Sequence, residues 1–285
     1  MKRIFSLILA LTAICAFGCS APESDGETPT ATSGTSASEV MDIYAFSIGK
    51  ADSLLLTFDG KTLLIDAGEN DDGEDIAKAL LAKGISSIDL LLITHFDKDH
   101  IGGFDELAAL IEINQVWMPD YERDSNHYRN MMEIIEQESI PCERISENLV
   151  AEFGSANLEL WPSTVEYTGA DNDDNEQSLV MAVNYGNCRL LFMGDANGEW
   201  LNRLCYGTYN LTCDLVKIPW HGSWDATLTA FIAFSLPQFA IITDSTKNPA
   251  DEATVDALSA IGTEIYRTMN GDVHLRCDGQ SVYQP

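Results

Sequence analysis

Four groups able to bind a metal fall within six residues of the run Thr94-His95-Phe96-Asp97-Lys98-Asp99-His100-Ile101-Gly102-Gly103. The run follows residues 88–93, an apolar stretch that reads as a strand covered on both faces. Where a strand gives way to a loop, side chains can converge on a point that regular structure would keep apart. Asp97 and Asp99 would be costly to crowd beside a buried strand end without a cation, and a metal accounts for them. Gly102 and Gly103 are expected to let the backbone turn tightly into the next helix. The plainer alternative is a solvated turn with two acids and two incidental histidines, although the chain has only five His and two are here. Asp195 and His221 also end apolar runs, but taken alone the first reads as a turn residue and the second, beside Trp220, as a packed one.

Taken whole, the run resembles the H-x-[HD]-x-D-H-x-G-G motif of the metallo-β-lactamase superfamily. Its Asp in the second ligand slot is similar to the branch formed by the metallo-hydrolase domain of ComEC-type competence proteins. Other blocks resemble that branch in order. Phe46-Ser47-Ile48-Gly49-Lys50-Ala51-Asp52 stands at its D-V-G-Q-G-D-like turn and Leu64-Ile65-Asp66-Ala67-Gly68 at its L-I-D-x-G. Asn175-Glu176-Gln177-Ser178-Leu179-Val180 matches N-x-x-S-L-V, and Leu191-Phe192-Met193-Gly194-Asp195 matches the L-x-x-G-D run. Lys217-Ile218-Pro219-Trp220-His221-Gly222-Ser223 resembles K-x-P-H-H-G-S. The likeness covers about 40–276.

The resemblance implies an α/β fold, a four-layered αββα sandwich in a single domain, with a two-metal cleft along the sheet edges. It implies that His95 and Asp97 hold one divalent ion, that Asp99 and His100 hold a second with His221, and that Asp195 bridges the two. Zinc and manganese are the expected ions, since mixed carboxylate and imidazole sets accept either. Asp99 and His221 are the expected catalytic residues, Asp99 also orienting the attacking water. Asp66, Asn175, Ser178 and Ser223 are candidates for contacting substrate or supporting the ligands. The implied reaction is hydrolysis of a phosphodiester, in a nucleic acid or in a small or cell-wall-linked molecule, by metal-activated water. An ester or lactam hydrolase is the alternative chemistry, with Asp97 and the want of a third His counting against it. A surface binding module that has lost turnover is the alternative class. Trp220 replaces the first His of the H-H-G-S pair, and Ser47, Lys50 and Ala51 depart from the D-V-G-Q-G-D-like turn, although Asp52 is kept. Lys247-Asn248-Pro249 stands where many relatives carry G-H-P, and only Asn175 or Ser178 is available where lactamase-like relatives give the first metal a third His.

The elements that position these residues follow from apolar spacing. Strands are expected at 43–46, 53–58 and 62–65, the last two joined by a hairpin at Asp59-Gly60. A helix is expected at 74–83, a strand at 88–93, and a helix, strand and helix at 104–112, 115–118 and 126–138. Strands follow near 144–149, 157–161, 178–185 and 189–193. The end alternates: helix 196–206, strand 214–218, helix 225–233, strand 238–243, helix 250–261, then strands 264–267 and 272–276. Tyr121 to Arg129 reads as an exposed loop entering a helix, although His127 or Tyr128 could reach the cleft. His274 reads as packed, and Arg267 as a surface ion pair or an anion contact. The acidic run 171–175 lacks the Gly and closing Glu of an EF-hand and reads as a solvated loop.

Composition limits the partners. Sixteen Lys+Arg against 45 Asp+Glu give a formal charge of −29, the wrong sign for holding duplex DNA by its backbone. Residues 1–19 read as an export signal: Lys2 and Arg3 precede an apolar stretch, and Ala16-Phe17-Gly18-Cys19 resembles a bacterial lipobox with Cys19 as the lipidation site. Residues 20–39 hold no large apolar side chain and read as a tether, leaving 40–285 as the folded domain. The expectation is a lipoprotein anchored through Cys19 on the outer face of the membrane, or a secreted protein if the lipobox is unused. Five cysteines remain in the domain without a C-x-x-C, and Cys205 and Cys213 are near enough in sequence to pair, the alternative being five small buried residues.

Overall fold

The computed structural model describes residues 39–169 and 174–285. The expected signal segment, Cys19 and the tether up to residue 38 lie outside the described residues, as do residues 170–173 of the acidic run. The first strands are β1 (Met41–Ala45), β2 (Leu54–Phe58) and β3 (Lys61–Ile65), followed by α1 (Gly73–Ala82). The expected strand at 88–93 is broken in two, β4 (Ser87–Ile88) and β5 (Leu90–Leu92). Asp89 causes the break: its carboxylate accepts from Thr62 N at 2.9 Å and pairs with Lys61, so it is turned toward the β2–β3 hairpin. The chain continues through α2 (Lys98–Ile101), α3 (Phe104–Leu110), β6 (Glu112–Ile113), β7 (Val116–Pro119), α4 (Asn126–Gln137), β8 (Cys142–Ile145), β9 (Leu149–Phe153) and β10 (Ala156–Trp161). It ends with β11 (Val180–Tyr185), β12 (Cys188–Phe192), α5 (Gly198–Tyr206), β13 (Leu215–Lys217), α6 (Ala226–Ser235), β14 (Phe239–Ile242), α7 (Glu252–Ala260), β15 (Glu264–Arg267), β16 (Val273–Cys277) and β17 (Val282–Tyr283).

Two sheets form the centre. One has eight strands in the order β17-β16-β1-β2-β3-β5-β7-β8, and the other seven in the order β15-β14-β13-β12-β11-β10-β9. Side chains alternate along each strand between the space shared by the sheets and the outer faces. Leu54, Leu56, Leu63, Ile65, Leu90 and Leu92 meet Met181, Val183, Leu190 and Phe192 between the sheets. The intervening Leu55, Leu64 and Leu91 pack outward on Ile76, Leu80, Leu107 and Met131 of the helices. On the second sheet Val180, Leu191 and Val216 pack outward on Trp200, Leu204 and Phe231. This is why the strands read as unbroken apolar runs, and it yields the expected αββα layering.

The direction of the strands sets where the chemistry lies. β3, β5 and β7 are parallel, as are β12, β13 and β14, while β2 and β11 run against their neighbours. The C-terminal ends of the parallel strands and the N-terminal ends of β2 and β11 therefore meet along one edge. Asp52, Asp66, His95, Ser178, Asp195, Lys217 and His221 all fall at those ends.

Two expectations are corrected. Cys205 and Cys213 do not pair, and the five cysteines of the domain are free thiols. The thiol contact is instead between Cys188 of β12 and Cys277 of β16, in different sheets, and Cys142 is exposed. Gly102 and Gly103 do not serve a special turn, because their φ angles are −62° and −88°. They serve close approach: a Cβ on Gly102 would lie 2.5 Å from Lys98 O and 2.6 Å from Asn70 N, and one on Gly103 would lie 2.5 Å from Ala67 O.

Candidate metal centre

Helix α2 explains how the 94–103 run converges. Asp97 precedes it in an extended conformation (φ −69°, ψ 152°), and its carbonyl accepts from His100 N at 3.0 Å. Asp99 and His100 thus lie on the first helical turn, while His95 is left on the extended segment behind. Asp195 and His221 arrive from the second sheet. His221 sits on a tight turn in which Trp220, His221 and Gly222 have φ of 50°, 52° and 78°. Such left-handed backbone is uncommon for bulky residues and is held by its surroundings.

The three imidazoles share one arrangement. His100 Nδ1 lies 2.8 Å from Asp66 Oδ2. His221 Nδ1 lies 2.9 Å from the Thr243 carbonyl, which can only accept. His95 Nδ1 lies 3.1 Å from Thr94 Oγ1, whose own proton goes to Asp66 Oδ2 at 2.7 Å. Nδ1 is thus engaged behind the site in each ring, and Nε2 is the nitrogen each imidazole turns toward the cleft. These Nε2 atoms face carboxylates. Asp195 Oδ2 is 3.5 Å from His100 Nε2 and 3.1 Å from His221 Nε2, Asp99 Oδ2 is 3.5 Å from His221 Nε2, and Asp97 Oδ2 is 3.6 Å from His95 Nε2. The Nε2 atoms of His100 and His221 are buried without a hydrogen-bond partner. Ligand atoms of His95, His100 and Asp195 lie within 4.8 Å of one another, as do those of Asp99, His100 and His221. Imidazole Nε2 atoms facing carboxylates across such gaps form a donor set that fits divalent cations.

Asp195 is steered by a cation that the residue pattern had not singled out. Lys217 is 1% exposed, and its ammonium donates to Gly194 O at 2.9 Å, to Asp195 Oδ1 at 3.3 Å and to Asp52 Oδ2. With Oδ1 committed to Lys217, Asp195 offers Oδ2 to the histidines. Burial alone would raise the Asp195 pKa, but His221, His100 and Lys217 hold it well below the usual carboxylate range. Burial likewise opposes ionisation of Asp52, and Lys217, then His221 and His100, outweigh it. Asp99 is buried enough to be pushed up, yet its contact with His221 and the charge of His100 bring it below its ordinary value.

Asp66, expected beside the site, backs His100 and Thr94 from a left-handed φ of 60°. Ser178 Oγ lies 3.5 Å from His95 Nδ1 and accepts from Asp195 N at 3.0 Å, so it ties the first position to the second. Asn175, with its amide nitrogen turned to Asp97 Oδ2 at 3.1 Å, accepts from Trp220 Nε1 at 3.0 Å. Trp220 thus replaces an imidazole by an indole that braces Asn175 and, through it, Asp97. Ser223 is held by its backbone, donating to Trp220 O at 2.8 Å. Arg123, in the loop before α4, places Nη1 3.0 Å from Asp97 Oδ1 and also pairs with Asp174. Tyr121 accepts from Phe96 N at 3.0 Å, and Tyr128 is buried and bonded to Arg144. His274 stacks on Tyr44 and pairs with Asp42 at 2.6 Å, away from the site. Arg267 pairs with Asp244. Of the residues missed, Lys217 and Asp52 lay in motif blocks and could have been found there. Arg123 and Thr243 left no signal in the sequence.

A family model for the metallo-beta-lactamase superfamily matches residues 48–242, and the chain belongs to that superfamily. It is 24% identical over 214 residues to ComE operon protein 3 of Bacillus subtilis (strain 168), covering 72% of this chain and 27% of that protein. It is 25% identical over 237 residues to competence protein ComA of Neisseria gonorrhoeae, covering 79% of this chain and 30% of that protein. The chain thus spans less than a third of the length of these curated relatives. Among solved structures, the metallo-beta-lactamase fold protein YhfI from Bacillus subtilis aligns with a TM-score of 0.55 at 11% identity, covering 83% of this chain and 99% of that one. CmlA, a diiron beta-hydroxylase from Streptomyces venezuelae, aligns with a TM-score of 0.56 at 13% identity, covering 85% and 55%. These two share the fold. The superfamily is in general one of metal-dependent hydrolases, and the fold implies a divalent-metal site.

Proposed function

We propose that the chain is a metal-dependent phosphodiesterase whose two divalent ions, zinc or manganese, are held by His95, Asp97, Asp99, His100, Asp195 and His221. The observation that carries this reading is the set of three imidazoles whose Nδ1 atoms are engaged behind the site while their Nε2 atoms face Asp97, Asp99 and Asp195. Bound divalent ions would supply a more acidic water and polarise the phosphoryl oxygen. Asp195 Oδ2 lies between His100 and His221 because Lys217 retains Oδ1. Asp99 is partly open to the cleft, with Oδ2 facing His221, which leaves Oδ1 to accept a hydrogen bond from the attacking water. Asn175 and Arg123 orient Asp97 from the other side. A nucleotide-type phosphodiester is the substrate class implied by the resemblance of the motif blocks, and the −29 charge favours a short substrate over duplex DNA.

The full chain loaded with manganese or zinc is expected to cleave bis(p-nitrophenyl) phosphate, and Asp99→Ala to lose at least about a hundredfold in kcat. Cleavage by neither metal form, or equal rates in the variant, contradicts the reading. Turnover of a chromogenic lactam or ester instead would favour the alternative chemistry, and metal binding without any turnover would favour a surface module. Export and anchoring through Cys19 belong to the same proposal and rest on the N-terminal residues alone. Fatty-acid labelling that disappears in Cys19→Ser supports the anchor, and unlabelled protein in the medium excludes it.

A further inference from the structure

A cavity of about 290 Å³ opens beside Asp99, lined by Lys50, Glu69, Lys98, Asp99 and Asn248. Its lining thus includes a proposed metal ligand, Asp99. Lys50 belongs to the β1–β2 loop, which is fastened at several points. Phe46 N donates to Ser53 O at 3.1 Å, Ser47 Oγ to Thr268 O at 2.6 Å, and Asp52 N to Asp99 O at 3.0 Å. The last bond fixes the loop directly to the Asp99 segment. Lys98 is paired with Glu69. Lys50 has no carboxylate partner among the described residues, in a chain where acids outnumber bases 45 to 16. An unpaired ammonium on a fixed loop, next to a metal ligand and in a strongly negative chain, is a local receptor for an anion. It stands where the resembling turn has a neutral Gln.

We infer that this cavity is a subsite in which Lys50 binds a second phosphate of the substrate, adjoining the scissile phosphodiester. The inference rests on the hydrolase reading for the placement of the scissile group. It makes the substrate a short nucleotide-like molecule with two anionic groups: one meets the metal centre and the other meets Lys50. Asn248 is uncharged, the Lys98–Glu69 pair carries no net charge, and Asp99 is assigned to the metal centre, so Lys50 decides the preference.

The test compares affinities of thymidine 3′,5′-bisphosphate and thymidine 5′-monophosphate for the manganese-loaded full chain by calorimetry. The wild-type protein is expected to prefer the bisphosphate about tenfold, as a charge-assisted contact implies. Lys50→Gln is expected to reduce that preference and Lys50→Glu to abolish it. Lys61→Glu, which breaks an ion pair with Asp89 beyond the other end of β2, is expected to retain it. Equal affinities in the wild-type protein, or a preference that survives Lys50→Glu, overturn the subsite. Its failure is distinguishable from that of the hydrolase reading. A chain with a Lys50-dependent preference that cleaves no phosphodiester keeps the subsite and loses the activity, and one that cleaves without the preference does the reverse.

Discussion

At the residue scale, the site depends on groups that touch no substrate. Asp66 fixes the tautomer of His100, and its φ of 60° is one that Asn also tolerates. Asp66→Asn should therefore keep the backbone while weakening the acceptor behind His100, lowering metal affinity roughly 10–100-fold in a chelator competition. Unchanged affinity would show that the tautomer is set elsewhere. Lys217 is a positioning residue of a different kind. Lys217→Met leaves Asp52 and Asp195 buried without their shared cation, and denaturant unfolding of the metal-free protein should show a loss of about 3–5 kcal/mol. Adding Asp52→Asn should restore part of the loss, because one of the two stranded charges is gone. If the double variant is no more stable than the single one, the pair is not coupled as drawn. His95, Asp97, Asp99 and His100 stand out in the sequence as four ligand-type groups within six residues, whereas Asp195 and His221 are set beside them only by the resemblance. Lys217 was less legible, since a lysine ending an apolar strand has the composition of a surface residue, and only the fold shows it 1% exposed.

At the element scale, the paired glycines of the 94–103 run show where sequence reasoning stops. Gly was legible as required, but the reason is packing of one segment on another. A Cβ on Gly73 at the start of α1 would lie 2.1 Å from Gly103 O, so the two helices meet through bare backbone. Gly103→Ala is expected to cost more than about 3 kcal/mol, because backbone cannot move aside as a flexible side chain can. A measured loss below about 1 kcal/mol would show that the contact relaxes. The split of the 88–93 strand was illegible for a related reason, since Asp89 in an apolar run declares its partner only when the β2–β3 hairpin is beside it. The start of α1 yields a prediction with a definite pH dependence. Burial raises the Asp72 carboxyl from 3.8 to about 6, although it accepts from Glu69 N at 2.8 Å. The folded chain thus holds this proton more tightly than the unfolded one. The group's favourable contribution is full below about pH 4 and is lost as pH rises through 6. Asp72→Asn keeps an acceptor oxygen and should stabilise the protein at pH 7. An unscreened shift would give ~3 kcal/mol, and half-exposure brings it to about 1 kcal/mol. The gain should vanish near pH 4, and an equal gain at both pH values would contradict the assignment.

At the scale of the whole molecule, two sheets with outer helices bring C-terminal strand ends of both sheets to one edge, and the centre is assembled across them. The layering was legible because both-face burial makes strands read as continuous apolar runs. The contact between the free thiols of Cys188 and Cys277 was not, because nearness across two sheets has no trace in sequence spacing. The charge of −29 acts on the entire fold. Raising NaCl from 10 mM to 0.5 M should screen self-repulsion and raise the melting temperature by roughly 2–4 °C, equivalent to about 1 kcal/mol. A fall with salt would place the main electrostatic term in the ion pairs instead.

The most direct test of the central claim is the metal content of the full chain, reconstituted with manganese or zinc and measured by elemental analysis beside Asp195→Asn. The account predicts about two ions per wild-type chain, falling to one or none when the residue reaching both His100 and His221 loses its charge. One ion or none in the wild-type protein, or two that survive the substitution, would contradict it.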